Sequence, residues 1–239
     1  MKRSLTILVL WCAAIIVQAT SNKVYLAYLQ QDIKSWQTQI DSIRKQPNRN
    51  LRQQEELLDL EYGFIAWALS ESRNPLAQKY LAMGQADLKA YEKAHGTKAR
   101  IQAYQSAFYA YEIKLRPARA AIVGLRCISL VKSARRNHPD DYFAQIQYGN
   151  VMYYLPSALG GSVTEAQAAY KQAQTIMESR QMTQHNWMYL NLLLMLADSY
   201  KQQGDYQAVQ TYYETILQHE PNFAWVRDTL VPANLKRLK

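Results

Sequence analysis

Residues 190–223 read LNLLLMLADSYKQQGDYQAVQTYYETILQHEPNF, and this stretch decides the fold. Apolar side chains recur at three- and four-residue spacing on both sides of Gly204 and Asp205, which is typical of amphipathic helices. Glycine favours a helix end and aspartate favours a helix start, so the pair marks a tight turn. Because so short a turn makes the two helices antiparallel neighbours, the segment predicts a helical hairpin that ends at Pro221.

The same 34-residue segment resembles the tetratricopeptide repeat along its full length. The residues that carry the match are Leu196, Ala197, Tyr200, Gly204, Asp205, Tyr206, Tyr213 and Pro221. Val209 and Ile216 depart from the pattern, since the family prefers alanine at both positions. The resemblance implies an all-α fold: a right-handed superhelix, or α-solenoid, of antiparallel helix pairs with end-capping helices.

A second unit of this kind is predicted at about 142–179. Tyr148 and Gly149 take the large–small positions of its first helix, and a small–aromatic–small set lies on one face of its second helix. That set is Ala166, Tyr170 and Ala173. Small residues on this face let the neighbouring helix approach closely.

The connection within this unit, PSALGGS at 156–162, has two readings. A phosphate-binding loop of the Walker type would continue from glycine to lysine and would follow a buried strand, and neither feature is present. The segment therefore predicts an enlarged elbow: Pro156 ends a helix, Gly160 and Gly161 adopt positive φ, and Ser162 or Thr164 caps the next helix.

The remaining chain is also predicted to be helical. Helices are expected at about 22–45, 52–72, 76–95, 98–115, 117–137, 141–155, 162–179, 185–203, 205–219 and 223–236. Residues 20–137 form divergent helical hairpins, and residues 138–239 hold the two repeats and a C-terminal capping helix. The first helix, with Trp36, and the last, with Trp225, are expected to cover the ends of the array.

Residues 1–19 have the features of a secretory signal peptide: Lys2 and Arg3, an apolar run, and a small-residue cleavage site ending at Ala19. We expect cleavage there and a periplasmic or secreted protein, with an uncleaved N-terminal anchor as the alternative. Cleavage would leave Cys127 as a single buried cysteine and lower the net charge from +9 to +7. This excess favours peripheral contact with the cell envelope.

The residues do not predict an enzyme or a nucleic-acid partner. The densest basic cluster, Lys132–Arg136, lies at a predicted helix C-terminus, where cations complement the helix dipole. The four histidines lie near predicted helix ends, and neither a His-Glu-x-x-His motif nor a Gly-x-Ser-x-Gly motif is present. We assign no catalytic residue, cofactor or metal ligand.

The tetratricopeptide resemblance implies that the first helices of successive units line a concave groove. The register then selects Asn191, Leu194, Asp198, Lys201 and Gln202 in the last unit, and Phe143, Ile146, Asn150, Tyr153 and Tyr154 in the preceding one. The candidate partner-binding residues among these are Asn150, Tyr153, Tyr154, Asn191, Asp198 and Lys201.

Asn150 is the leading candidate, because an amide offers both a donor and an acceptor to an extended chain. The alternative is that Asn150 satisfies a neighbouring carbonyl and that Tyr153 and Tyr154 pack on the elbow. In the N-terminal unit the same register selects Leu57, Leu60, Phe64 and Trp67, which we expect to lie buried under the first helix. The groove is therefore expected in the C-terminal half.

Two functions follow from this interpretation. The first is an exported, non-enzymatic scaffold that binds a protein or peptide on its concave face in the cell envelope. The second is a small-molecule-binding or transport-accessory subunit, because the Gly-Gly elbow before a helical Glu-Ala pair also resembles the helical subunit associated with tripartite periplasmic transporters.

Overall fold

The computed structural model describes residues 22–96 and 99–238, and all regular structure within them is helical. The predicted all-α fold is confirmed. The predicted signal peptide lies outside the described residues. Within them, no helix has both the length and the apolar composition that crossing a bilayer requires.

The helices are numbered along the chain. They are α1 (22–30), α2 (Ile33–Arg44), α3 (Leu51–Ser70), α4 (Asn74–His95), α5 (Ala99–Leu115), α6 (Ala120–Asn137), α7 (Tyr142–Tyr154), α8 (Val163–Ser179), α9 (Trp187–Gln202), α10 (Tyr206–His219) and α11 (Val231–Leu235). Short 3₁₀ turns at Pro117–Arg119 and Ser157–Leu159 precede α6 and α8.

Capping residues set several of these boundaries, as the sequence predicts. The side chain of Asp205 accepts a hydrogen bond from the backbone amide of Ala208 at 2.9 Å, and Ser162 caps α8 in the same way. In the elbow, Gly160 has a φ of 94°. Gly161 does not share this conformation; it is needed because an added Cβ would lie 1.7 Å from the carbonyl oxygen of Leu155.

Two predicted helices are interrupted. The first divides into α1 and α2 because Gln31 adopts a φ of 54° and Asp32 then caps α2 by accepting from the amide of Ser35 at 3.1 Å. The last contains a π-helical segment, Val226–Leu230, directly before α11. Pro232, which follows this segment, has no amide proton for a regular helical hydrogen bond.

Consecutive helices form four hairpins: α3 with α4, α5 with α6, α7 with α8, and α9 with α10. The first helices of neighbouring hairpins also meet, α3 against α5 and α5 against α7. Ala166 in α8 and Val209 in α10 are both fully buried in one continuous core. The small-residue face of α8, with Ala166 and Ala173, is therefore buried as the sequence predicts, and Val209 is buried although it departs from the alanine of the repeat pattern.

The N-terminal helix contacts the opposite end of the chain. The Tyr25 hydroxyl donates a hydrogen bond to Glu220 at 2.8 Å, and the Tyr28 ring lies 5.5 Å from the ring of Phe223. Helix α1 thus joins the two ends of the described chain, which differs from the predicted cap at one end. The tyrosine rings pack on apolar surface at this contact, and the Tyr25 hydroxyl bonds a carboxylate.

Candidate ligand-binding site

A cavity of about 660 Å³ lies between the N-terminal helices, α3, α7, α9 and the segment that follows α10. We call it the aromatic cavity because aromatic side chains dominate its lining. These are Tyr28, Trp36, Tyr62, Trp67, Tyr153, Tyr154, Tyr170, Trp187, Tyr213, Phe223 and Trp225. The set includes every tryptophan of the described residues. Cavities of this size and character commonly bind small molecules or inserted side chains.

Five of the six predicted site residues line the aromatic cavity. These are Tyr153, Tyr154, Asn191, Asp198 and Lys201, from α7 and α9. The structure therefore brings together two helices that the repeat register places side by side. Phe143 and Ile146, which the same register selects, are instead fully buried, because α5 packs on α7 and the Tyr62 ring of α3 lies 5.2 Å from the Phe143 ring.

Asn150, the leading candidate, does not line the aromatic cavity. Its amide nitrogen donates to the Tyr62 hydroxyl and to Gln147 Oε1, both at 3.2 Å, and its oxygen accepts from the Tyr170 hydroxyl at 2.8 Å. Asn150 therefore bonds other side chains of the protein, as the alternative expects in part, but its partners are two tyrosine hydroxyls as well as the side-chain carbonyl of Gln147. Asn150 fixes two tyrosines that do line the cavity, so its connection to a ligand is indirect.

Tyr153 and Asp198 form the main polar contact of the cavity wall. The Tyr153 hydroxyl donates to Asp198 Oδ2, and the Tyr154 ring stands edge-on to the Tyr153 ring at 4.8 Å. Burial, and then the hydrogen bond and charge of Asp198, raise the pKa of Tyr153, so this hydroxyl remains a donor to a higher pH than an ordinary tyrosine. Tyr154 is 77% exposed, so its ring is free to contact a ligand.

Two indole rings form the base of the cavity. Trp36 donates from Nε1 to the carbonyl of Leu60 at 3.0 Å, and its ring centre lies 4.9 Å from that of Trp187. Gly63 makes this approach possible, since an added Cβ would lie 2.7 Å from Trp36 and 2.8 Å from Trp187. These residues belong to segments far apart in the chain.

The N-terminal wall is the part that sequence reasoning missed. Trp67 is only partly buried and lines the cavity, whereas Leu57, Leu60 and Phe64 are buried as predicted. The aromatic cavity therefore spans both halves of the chain and is not confined to the C-terminal half. The sequence signal that could have indicated this wall is the set of four tryptophans that follow residue 19, since all of them line the cavity.

Three charged side chains line the cavity, and all are exposed: Glu71, Asp198 and Lys201. The balance is one negative charge, which favours a ligand with a cationic group. Aromatic faces attract cations as well. Within the described residues, no group of three or more His, Cys, Asp or Glu side chains is placed to hold a metal ion. The arrangement is suited to binding through aromatic contact and peripheral charge.

No protein-family model matches the chain, and a search of curated proteins found no match.

Proposed function

We propose that the chain is an exported, non-enzymatic scaffold that binds a segment of a protein partner, with one anchoring side chain inserted in the aromatic cavity. The observation that carries this proposal is the convergence of four tryptophans and six tyrosines on one solvent-open cavity. Aromatic pockets of this kind hold the residues that contribute most to binding energy in protein interfaces.

The finer architecture is part of the proposal. We infer a right-handed superhelix of tetratricopeptide-like pairs, with the aromatic cavity on its concave side. Two glycines support this inference, because they have the features of equivalent positions in two repeats. Both follow a tyrosine, in Tyr62-Gly63 and Tyr148-Gly149, and both accommodate a neighbouring aromatic ring. The proposed location is the periplasm or the exterior, following cleavage after Ala19.

The side chains that line the cavity restrict which peptide segments can bind. The aromatic walls favour an aromatic or long aliphatic anchor, and the excess of carboxylates over Lys201 favours a basic residue beside it. Exposed ends of Tyr154 and Trp225 offer further stacking surface to the flanking backbone. We therefore expect binding to peptides with adjacent apolar and basic side chains.

A peptide selection on the purified chain 20–239 tests this proposal. Twelve-residue peptides from a random phage library would be enriched, synthesised without tryptophan and titrated while the protein's tryptophan fluorescence is recorded. Because all four tryptophans of this chain line the cavity, binding there must change the emission. Removing an aromatic side chain that stacks on the peptide costs about 1–2 kcal/mol, so Tyr154→Ala should weaken binding by roughly 5- to 30-fold.

Tyr109→Ala is the matched control, because Tyr109 is partly buried and lies outside the cavity lining. Failure to enrich any peptide, or equal affinities of the selected peptides for the two variants, would contradict the proposal.

A small-molecule ligand is the second candidate, and one observation favours it. Tyr25 and Tyr28 of α1 reach Glu220 and Phe223, so the N-terminal helix narrows the groove to a volume that suits a compact ligand. Tyramine and benzoate are suitable probes, since they share an aromatic ring and differ in charge. A fluorescence change with tyramine in the absence of peptide binding would select this candidate over the first.

A further inference from the structure

The positive charge of the chain is concentrated in one segment. Between Glu112 and Asp140 there are seven lysines and arginines and no acidic residue. Removing these seven from the 28 basic residues leaves 21, against 19 acidic residues in the whole chain. Seven of the nine net positive charges therefore belong to the end of α5, the following turn and α6.

Helix α6 exposes large apolar side chains among these cations. Its buried face consists of Val123, Cys127, Val131 and Ala134. On the opposite side, Leu125 is 86% exposed and Ile122 is 68% exposed. At 100° per residue, Lys132 and Arg136 project in nearly the same direction as Leu125. We call these four outward residues the α6 outer face.

The cationic half of the α6 outer face borders a cleft. The cleft, of about 590 Å³, is lined by Lys132, Arg135 and Arg136 from α6 and by Gln145 and Tyr148 from α7. Arg135 is held within the protein, with its guanidinium 4.2 Å from the Tyr148 ring centre. Lys132 and Arg136 are exposed, and no carboxylate of the described residues lies within ion-pair distance of either.

We propose that the α6 outer face docks on the surface of an anionic phospholipid bilayer. Leu125 and Ile122 enter the boundary between head groups and acyl chains, while Lys132 and Arg136 contact lipid phosphates. Apolar side chains flanked by cations are the pattern of helices that lie in a membrane interface. Each cation near an anionic membrane surface adds attraction that falls off within a Debye length.

Charge complementarity favours the bilayer over two other occupants. A second copy of the chain would bring two seven-cation segments together, and their repulsion opposes a symmetric contact. A nucleic acid would neutralise the cations but would leave Leu125 and Ile122 in water. Only a surface that is both anionic and apolar beneath its charged layer satisfies both halves of the α6 outer face.

Sedimentation with vesicles tests this inference on the chain 20–239. The vesicles would contain 30% phosphatidylglycerol in phosphatidylcholine, or phosphatidylcholine alone. We expect binding to the first and little to the second, with strong weakening in 1 M salt. Lys132→Gln with Arg136→Gln should lower the partition coefficient about 30-fold, from roughly fivefold per cation. Leu125→Ser should lower it by about tenfold.

The controls match charge and exposure elsewhere on the surface. Lys45→Gln with Lys89→Gln removes two exposed cations outside the segment, and Leu159→Ser replaces an exposed leucine in the elbow. These variants should retain nearly all vesicle binding, and circular dichroism checks that every variant is folded.

Three results would overturn the inference. One is an absence of sedimentation with phosphatidylglycerol vesicles, and another is an equal loss in the control variants. The third is a concentration-dependent dimer in light scattering that Leu125→Ser abolishes while vesicle binding stays unchanged, which would assign the α6 outer face to contact between copies. The inference does not depend on the aromatic cavity, and Tyr154→Ala should bind vesicles as the unsubstituted chain does.

Discussion

Replacing Gly149 by alanine tests the close packing of α7 on α8. A Cβ at this position would lie 2.3 and 2.5 Å from two ring carbons of Tyr170, closer than any ordinary contact. The ring cannot move aside easily, because Tyr170 is 1% exposed and its hydroxyl bonds Asn150 at 2.8 Å. The added methyl must therefore separate the two helices or displace the ring.

The expected change in the free energy of unfolding combines two destabilising effects and one stabilising effect. Overpacking a well-packed core costs about 1–3 kcal/mol, and loss of the Tyr170 hydrogen bond costs about 1 kcal/mol. Alanine in a helix interior recovers about 1 kcal/mol relative to glycine. We expect Gly149→Ala to lower the free energy of unfolding by about 1–3 kcal/mol.

Gly124 in α6 is the matched control, since a Cβ there would have no heavy atom within 4 Å. Only the gain in helix propensity applies, so Gly124→Ala should raise the free energy of unfolding by about 0.5–1 kcal/mol. Urea unfolding followed by far-ultraviolet circular dichroism measures both variants. If Gly149→Ala proved as stable as Gly124→Ala, the close approach of the two helices would be refuted.

Three further predictions concern buried polar groups. Asn150→Ala removes three side-chain hydrogen bonds and should lower the free energy of unfolding by about 2 kcal/mol, whereas Asn191→Ala should change it by less than about 0.5 kcal/mol; similar values in urea unfolding would contradict the bridging role of Asn150. Burial, opposed by the charge of Arg44, raises the pKa of Glu61 to about 8, so the folded state retains a proton that the unfolded chain releases above about pH 4.5. The contribution of Glu61 to the free energy of unfolding is therefore fully present below that pH and is lost as the pH rises toward 8. Glu61→Gln should flatten this decline, and an unchanged pH dependence of the free energy of unfolding would contradict the prediction. Cys127 is 5% exposed and burial raises the pKa of its thiol, so a disulfide exchange reagent should modify it far more slowly in the folded chain than in urea. Rapid modification of the folded chain would disprove its burial.

The helices were largely predictable because their signals are local. Asp205 and Ser162 cap helices from within their own turns, and Gly160 takes the left-handed conformation that a glycine tolerates best. The break after α1 was not predicted, because Gln31 has a φ of 54° and positive φ is uncommon for glutamine.

Only part of the candidate site was predictable, because the repeat register shows on which helix face a residue lies but not which residues it contacts. Tyr153 and Asp198 lie where the repeat register puts them and contact each other across two helices. Asn150 lies on the same face, yet its partner Tyr62 is 88 residues away in sequence. No spacing rule within one repeat specifies a contact of that range.

Closure of the chain explains why the second wall was missed. In an open helical array each repeat contacts its neighbours alone, and every groove residue belongs to one repeat or the next. Here the Tyr25–Glu220 hydrogen bond joins residues 195 positions apart, and Trp36 meets Trp187 over Gly63. A cavity built from such contacts exists only when both ends of the chain have met. The aromatic cavity therefore depends on contact between the two ends of the described chain, and the segments predicted as repeats, 142–179 and 190–223, supply one of its walls.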